Sequence, residues 1–365
     1  MSRLTVTYHV CSDAGAIAAR AQAIAVEQSV EMPLSAIEDQ QILDEIVGKV
    51  EAISDIGDGT FAVRIALSRE TAGEDAGQLI NMLFGNTSLQ EDVVLHDAEL
   101  PNDVVRRHGG PNLGLAGLRT RAGAGNRALT CSALKPQGLS PERLAQLAAS
   151  FGRGGIDYVK DDHGLADQAY SPFARRCAAI AAALRAVERE TGKRTRYVPS
   201  LTGDLDALRA QITAAKNAGI DTVMVQPMIM GLSNFAKLAA ENRELAFFAH
   251  PTLAGTRIAP PLLFGKLFRM LGADALVFPN HGGRFGYSSD LCGELARTAL
   301  ADWHGLKPAV PVPAGGMTID RIGEMLDFYG SDVMLLIGGA LLEARERLTE
   351  ATAAFVANVR EHQYG

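Results

Sequence analysis

The sequence predicts an α/β protein in which a small α+β domain of ferredoxin-like type, residues 1–125, precedes a (β/α)8 TIM barrel with C-terminal helices, residues 126–365. Three observations predict this fold. Short apolar segments recur from Ala128 onward, amphipathic stretches separate them, and no GxGxxG motif follows an early strand. Eight such units within about 215 residues fit a closed barrel better than an open doubly wound sheet.

The N-terminal region mixes alternating and helical segments, which is typical of a small α+β layer. Alternation of polar and apolar residues predicts strands, and longer amphipathic runs predict helices. The strands are expected at 4–10, 48–56 and 60–67, and the helices at 13–28 and 71–85. A passage rich in glycine and arginine, residues 109–126, is expected to be the connection to the barrel.

The barrel strands are expected to be apolar on both faces, because helices cover a parallel sheet on one side and a packed core fills the other. Helical stretches separate these strands, for example at 141–152, 173–192 and 318–330. The eight predicted strands are 128–135, 155–162, 196–201, 222–228, 246–253, 275–280, 309–316 and 333–339.

Composition restricts the class of protein. The net charge is −7 and basic residues are scattered, so we expect no nucleic-acid surface. The N-terminus lacks the apolar run of a signal peptide, and the apolar runs are too short for a membrane span. Four widely spaced cysteines without a CxxC pair fit a reducing compartment, and we expect a cytoplasmic location without membrane partners.

The second barrel strand ends in Lys160, Asp161, Asp162 and His163. Barrel enzymes carry catalytic groups at the C-terminal ends of their strands. Carboxylate and imidazole suit divalent cations, so Asp162 and His163 are candidate metal ligands. A lysine becomes a ligand only after it loses a proton and gains a carboxylate, for example as a carbamate formed with CO₂. A solvated turn with a salt bridge is the alternative interpretation.

Two further polar side chains end barrel strands. Lys135 ends the first strand before an abrupt Pro136–Gly138 turn and is a candidate general acid or base. A surface lysine is the alternative. His250 ends the fifth strand, where a catalytic histidine and a hydrogen-bonded structural histidine are both reasonable interpretations.

Paired glycines end strands seven and eight: Gly315 with Gly316, and Gly338 with Gly339. Barrels commonly bind phosphate with the loops after these two strands, and glycine lets the backbone approach an oxyanion closely. The alternative is that the glycines only begin the following helices. The loop after strand six carries His281 and Arg284 among glycines, which fits a closing loop over an anionic substrate or an ordinary surface turn.

The segment GGIDYVKDDHG, residues 154–164, resembles the metal-binding signature of the RuBisCO large-chain superfamily, whose usual form is GGxDxxKDDE. The resemblance extends in the family's order to MLFGNTS around Asn86, to ALKPQGLS, to VPAGG and to LLIGG. It covers nearly the whole chain. The resemblance implies the same two-domain fold and a homodimer in which each N-terminal domain completes the active site of the other subunit.

The resemblance also implies roles for individual residues. Lys160 would be carbamylated by CO₂ and would bind Mg²⁺ together with Asp162 and His163. Lys135 and His250 would match the family's strand-one lysine and strand-five histidine. The phosphate loops would be formed by Gly315, Gly316, Gly338 and Gly339. Asn86 and Glu27 would reach into the active site from the neighbouring subunit.

Four departures from the family pattern indicate a RuBisCO-like protein that is not a carboxylase. His163 stands where the family usually has glutamate, and KPQGLS replaces the carboxylase's KPKLGLS. Pro251 replaces a phosphate-binding arginine, and the strand-six loop has Arg284 where carboxylases have a lysine that steadies CO₂. One phosphate site therefore remains, while the second phosphate site and the CO₂-handling loop are lost.

The shared chemistry of the family is proton abstraction next to a carbonyl, on a phosphorylated sugar substrate. The leading hypothesis is isomerisation of 5-methylthioribulose 1-phosphate to 1-methylthioxylulose 5-phosphate. A decarboxylase of 3-oxo-isoapionate 4-phosphate, whose substrate carboxylate Arg284 would hold, and a diketo-methylthiopentyl-phosphate enolase are alternatives. A non-enzymatic regulatory or binding protein with a decayed site is the alternative from a different class.

Overall fold

The computed structural model describes residues 3–255 and 257–364. Its packing divides the chain into two compact units, residues 1–108 with 254–263, and residues 109–253 with 264–365. The division falls after His108, whereas the sequence predicts a domain boundary near residue 125, and that boundary stays a prediction. No helix among the described residues is long and apolar enough to cross a membrane.

The first unit is a four-stranded antiparallel sheet with helices, in the strand order β2–β3–β1–β4. This β-α-β-β-α-β connectivity is that of ferredoxin-like units. Its elements are β1 (Arg3–Cys11), α1 (Ile17–Glu27), β2 (Lys49–Gly57), β3 (Thr60–Ser68), α2 (Arg69–Ala72), α3 (Ala76–Phe84), β4 (Val93–Glu99) and α4 (Asn102–His108). The three predicted strands and both predicted helical regions are present, and the sequence interpretation missed β4 and α4.

The second unit consists of parallel strands that alternate with helices. Its elements are α5 (Gly114–Ala122), β5 (Leu129–Leu134), α6 (Pro141–Arg153), β6 (Tyr158–Asp161), α7 (Phe173–Thr191), β7 (Arg196–Val198), α8 (Leu205–Asn217), β8 (Thr222–Val225), α9 (Pro227–Met230), α10 (Leu232–Glu241), β9 (Ala246–Ala249), β10 (Ala275–Pro279), α11 (Ser289–Leu300), β11 (Val310–Ala314), α12 (Ile322–Tyr329), β12 (Met334–Leu336), α13 (Gly339–Leu342) and α14 (Leu348–Glu361). Each of the eight predicted strand segments contains one of these strands.

The eight strands form two parallel sheets, in the orders β12–β5–β6–β7 and β11–β10–β9–β8. A parallel bridge between Ser200 and Met224 follows β7 and joins it to β8. Alternate side chains of all eight strands meet in one apolar cluster: Leu129, Cys131, Tyr158, Val198, Met224, Ala246, Phe248, Ala275, Val277, Val310, Val312, Met334 and Leu336. Because each large apolar side chain stabilises the fold by about 1.5–3 kcal/mol when buried, this cluster fixes the strands that carry the candidate site.

The passage 109–126 is not simply a connection, and that prediction was wrong. It contains α5, whose Leu115 and Leu118 are buried in the apolar cluster. The amides of Leu113 and Gly114 donate to Asp274 Oδ1 at 2.6 and 2.7 Å, which satisfies the N-terminal end of the helix. Tertiary packing and this cap therefore override the low helix propensity of the glycines.

Candidate active site

The side chains around the end of β6 alternate between two environments, because successive residues of a strand point to opposite faces. Asp161 is fully buried and saturated: Tyr197 donates to Oδ1 at 2.6 Å, and Arg176 Nε and the Ser200 amide donate to Oδ2 at 3.1 and 3.0 Å. The carboxylate of Asp161 therefore has a structural role. Lys160 and Asp162 lie on the other face.

Asp162 binds Lys135, which places the end of β6 next to the end of β5. Lys135 Nζ donates to Asp162 Oδ2, and the Gly164 amide donates to Oδ1 at 3.0 Å. Burial alone would raise the pKa of Asp162, but these hydrogen bonds and the charge of Lys135 lower that pKa to about 2. Asp162 is therefore a permanent anion, as a metal ligand must be.

Lys160 is buried, with 4% of its surface exposed. Its Nζ donates to the carbonyl oxygen of Asp161 at 2.8 Å. Burial lowers the pKa of Lys160, although the carboxylates of Asp162 and Asp161 act in the opposite direction. A lowered pKa increases the fraction of Lys160 that is present as the neutral amine, and the neutral amine is the form that reacts with CO₂.

His163 and His250 stack on each other, with ring centroids 4.7 Å apart and planes inclined by 9°. His163 Nδ1 lies 3.4 Å from Asp162 Oδ1. Burial lowers the pKa of His163 against the opposing charge of Asp162, and burial lowers the pKa of His250 to about 2. Both imidazoles are therefore neutral at pH 7 and have ring nitrogens available to a cation or a substrate.

Thr252 orients His250 and was missed by the sequence interpretation. Its Oγ1 lies 2.6 Å from His250 Nδ1, which leaves Nε2 as the ring nitrogen without this partner. The signal was present in the motif His250-Pro251-Thr252, since a hydroxyl two residues after a histidine can reach back to its ring.

Gly315 and Gly316 follow β11 with φ of +82° and +89°, which only glycine adopts without strain. A Cβ on Gly315 would lie 2.9 Å from the ring of Phe285, and a Cβ on Gly316 would lie 2.9 Å from Cα of Gly283. The loop after β10 therefore packs directly on these glycines. Sequence reasoning did not single out Phe285.

The two polar residues predicted in the loop after β10 have different surroundings. Arg284 is exposed, with its guanidinium 5.0 Å from the Phe285 ring centroid, and its charge contributes to lowering the pKa of His163. His281 instead packs its ring on Phe328 of α12, with centroids 4.6 Å apart. The roles of Arg284 and His281 in substrate binding stay predictions.

Gly338 and Gly339 follow β12 and begin the short helix α13. The Cβ position of Gly339 is open, with no atom of the described residues within 4 Å. Both backbone amides are thus at the C-terminal end of β12, as the phosphate-loop prediction requires, although their role in phosphate binding stays a prediction.

The first unit places Asn86 and Glu27 together. Asn86 Nδ2 donates to Glu27 Oε1 at 3.0 Å and also to Glu31 Oε1 at 2.9 Å. The sequence interpretation missed Glu31. No periodicity could have identified it, because α1 ends at Glu27 and Glu31, with a φ of +52°, lies outside the helix.

Within the second unit, the structure therefore brings together five of the predicted site residues: Lys135, Lys160, Asp162, His163 and His250. No group of three or more His, Cys, Asp and Glu side chains within residues 3–255 and 257–364 is placed to hold a metal ion. The donor set nevertheless fits a hard cation once Lys160 carries a carboxylate, because Asp162 and His163 supply the other two protein ligands.

Comparisons with known proteins show the family of the chain. The family model described as ribulose bisphosphate carboxylase large chain, catalytic domain, matches residues 114–289. The chain is 62% identical to the 5-methylthioribulose-1-phosphate isomerase of Rhodospirillum rubrum over 98% of this chain and 96% of that protein. It is 31% identical to the 2,3-diketo-5-methylthiopentyl-1-phosphate enolase of Geobacillus kaustophilus, over 93% and 88% of the two chains.

A solved structure also matches the whole chain. The crystal structure of a Rubisco-like protein from Rhodopseudomonas palustris superposes with a TM-score of 0.94 at 49% identity, and covers 100% of this chain and 99% of that one. The chain belongs to the RuBisCO large-chain family. Within that family it is a RuBisCO-like protein, as the departures at His163, Pro251 and Arg284 predict.

Proposed function

We propose that this protein isomerises 5-methylthioribulose 1-phosphate to 1-methylthioxylulose 5-phosphate. The observation that carries the proposal is the grouping of Lys135, Lys160, Asp162, His163 and His250 at the C-terminal ends of β5, β6 and β9. The 62% identity to an isomerase of that name, against 31% to an enolase, favours isomerisation over enolisation alone.

The chemistry consists of two successive enolisations. Each removes a proton from the carbon beside the carbonyl and returns one to the former carbonyl carbon, so that the carbonyl moves from C2 to C4 of the substrate without net oxidation. Mg²⁺ held by carbamylated Lys160, Asp162 and His163 would polarise the substrate's carbonyl and hydroxyl oxygens and make the adjacent C–H bond acidic.

The side chains around the proposed metal site transfer the protons. Lys135 Nζ, held by Asp162 beside the site, exchanges a proton with the substrate carbon or oxygen. Burial keeps His250 neutral and Thr252 engages its Nδ1, which leaves Nε2 as the ring nitrogen that would donate to or accept from the reacting hydroxyl. The glycine pairs after β11 and β12 hold the single phosphate and thereby fix the reacting carbons.

We also infer that β5–β12 close into a (β/α)8 barrel. The bridge between Ser200 and Met224 and the single apolar cluster fed by all eight strands support this closure. A homodimer would then complete each site with Asn86 and Glu27 of the other subunit. A cytoplasmic location stays a prediction.

The test of the proposed function is NMR of the enzyme with 5-methylthioribulose 1-phosphate, Mg²⁺ and bicarbonate in D₂O. The proposal predicts a new methylthio-ketose with deuterium bound to carbons of the sugar chain. An unchanged substrate spectrum would contradict it. Turnover of 2,3-diketo-5-methylthiopentyl 1-phosphate to its enol, with no turnover of 5-methylthioribulose 1-phosphate, would identify an enolase instead.

Complementation tests the shared site. Chains with Asn86→Ala and chains with Lys160→Ala are each expected to be inactive, since each lacks one half of every site. Mixed dimers contain one intact site, so the mixture is expected to regain roughly a quarter to a half of wild-type turnover, as expected for closed two-fold dimers. A mixture that stays inactive, although mass spectrometry shows mixed dimers, would contradict sharing.

A further inference from the structure

Asn86 is held by two carboxylates rather than one. Its side-chain nitrogen donates to Glu27 Oε1 at 3.0 Å and to Glu31 Oε1 at 2.9 Å. An asparagine amide has two N–H donors on nitrogen and one acceptor oxygen. Both donors are therefore used within this cluster, while no described residue donates to Asn86 Oδ1.

The two carboxylates also fix which way the amide points. Carboxylate oxygens are acceptors, so an amide turned by 180° would set its own acceptor oxygen against the acceptor oxygens of both glutamates. The only group that Asn86 can offer to another molecule is therefore its oxygen, an acceptor. A sugar phosphate carries hydroxyl groups that can donate to this acceptor.

The backbone at Glu31 is unusual for a glutamate. Its φ is +52°, in the left-handed region that favours glycine. Glu31 lies beyond the end of α1, and its amide donates back to the carbonyl of Val26 in the last turn of that helix. A non-glycine residue in this conformation costs about 1 kcal/mol or more. Such outliers concentrate at functional positions.

A buried glutamine holds the two segments that carry this cluster. Gln28 Nε2 donates to the Met82 carbonyl at 2.9 Å, and Gln28 Oε1 accepts from the Thr87 amide at 3.1 Å. The end of α1 and the turn at Asn86 are therefore fixed relative to each other. Glu27 and Glu31 consequently reach Asn86 from a rigid frame.

We infer that Glu31 is a positioning residue that, together with Glu27, holds Asn86 so that its amide oxygen accepts a hydrogen bond from a substrate hydroxyl. This inference rests on the proposed function, in which Asn86 completes the active site of the other subunit. Glu31 itself acts only through Asn86.

Substitutions at Glu31 separate positioning from folding. Glu31→Gln keeps an acceptor oxygen and should hold kcat/KM within about threefold of wild type, whereas Glu31→Gly should lower it about tenfold, the effect of one lost hydrogen bond. Because glycine relieves the left-handed backbone, Glu31→Gly should leave the Tm unchanged or higher. Glu38→Ala, an exposed glutamate on the same connection, is the matched control and should resemble wild type.

Substitutions that move a charge between Asn86 and Glu31 test which atom of Asn86 forms the hydrogen bond to the substrate. Asn86→Asp puts a third carboxylate against Glu27 and Glu31 and should lower kcat/KM about 100-fold, since like charges repel at this distance. In the double variant Asn86→Asp with Glu31→Gln, the glutamine amide can donate to the new aspartate, and about tenfold of the loss should return. No recovery would mean that the substrate requires an N–H donor from Asn86, which would overturn the inference.

The outcomes also separate this inference from the proposed function. Wild-type enzyme that fails to convert 5-methylthioribulose 1-phosphate contradicts the proposed function and removes the basis of the inference. Active wild-type enzyme with a Glu31→Gly variant of unchanged kcat and KM overturns the role of Glu31 alone.

Discussion

The two ends of the parallel strands in the second unit differ in how their acidic side chains are satisfied. Aspartates precede four alternate strands, β6, β8, β10 and β12: Asp157, Asp221, Asp274 and Asp332. Each is paired or capped, as when Arg127 binds Asp157 through both oxygens at 2.8 and 2.7 Å. At the C-terminal ends, Lys135 and the stacked rings of His163 and His250 are at least partly exposed. Asp162 is buried there, and its carboxylate accepts from Lys135 and from the Gly164 amide.

One end of the strands therefore stabilises the fold, and the other end is available for chemistry. A saturated carboxylate has no lone pair left for a cation or substrate, whereas Asp162 keeps acceptor capacity beside a neutral imidazole. Asp161 and Asp162, neighbours in sequence, show the same contrast within two residues. The predictions that follow test this division.

The largest effect is expected for Lys160→Ala. Loss of the group that we propose as the third protein ligand should lower kcat by about 10³-fold or more, on the scale of several kcal/mol that a metal contributes to a transition state. The Tm should change little, because the amine makes one bond to a backbone carbonyl. Retained turnover would refute the assigned role of Lys160.

The paired variants Asp161→Ala and Asp162→Ala should have opposite consequences. Asp161→Ala leaves Arg176 as an uncompensated buried charge and should destabilise the fold by about 3–5 kcal/mol. Asp162→Ala should abolish turnover with a much smaller loss of stability. Thermal unfolding and turnover assays check both variants, and a reversal of the two outcomes would contradict the division between the strand faces.

A smaller and pH-dependent effect is expected at Asp274. Burial raises the pKa of Asp274 to about 6, so the folded state holds this proton more tightly than the unfolded state. Its contribution to stability is complete below pH about 4 and is lost as pH rises through about 6, by about 2–3 kcal/mol at roughly 1.4 kcal/mol per pKa unit.

Asp274→Asn is the control for that titration, because its side chain cannot ionise. The free energy of unfolding of wild type minus that of Asp274→Asn should therefore decrease between pH about 4 and about 6, measured by urea unfolding. Turnover per folded molecule should not change. A difference that is constant with pH would show that Asp274 does not titrate in this window.

The sequence was sufficient for features that depend on periodicity. The apolar segments located all eight parallel strands, and the position of Lys160, Asp162 and His163 at a strand end was sufficient to group these three residues. The sequence could not show that α5 forms within 109–126, because Asp274, far along the chain, caps that helix. Glu31 was missed for a related reason, since its role depends on a contact with Asn86 that needs side-chain geometry. Thr252 did have a sequence signal, in its position two residues after His250.

The central claim is that Lys160 becomes a carboxylate ligand by reaction with CO₂. ¹³C NMR of the protein with ¹³CO₂ and Mg²⁺ tests this directly, with Lys160→Ala and Lys135→Ala as matched variants. The account predicts one carbamate resonance in wild type and in Lys135→Ala, and none in Lys160→Ala. A spectrum of active wild-type enzyme without that resonance, or a resonance that persists in Lys160→Ala, would contradict the account.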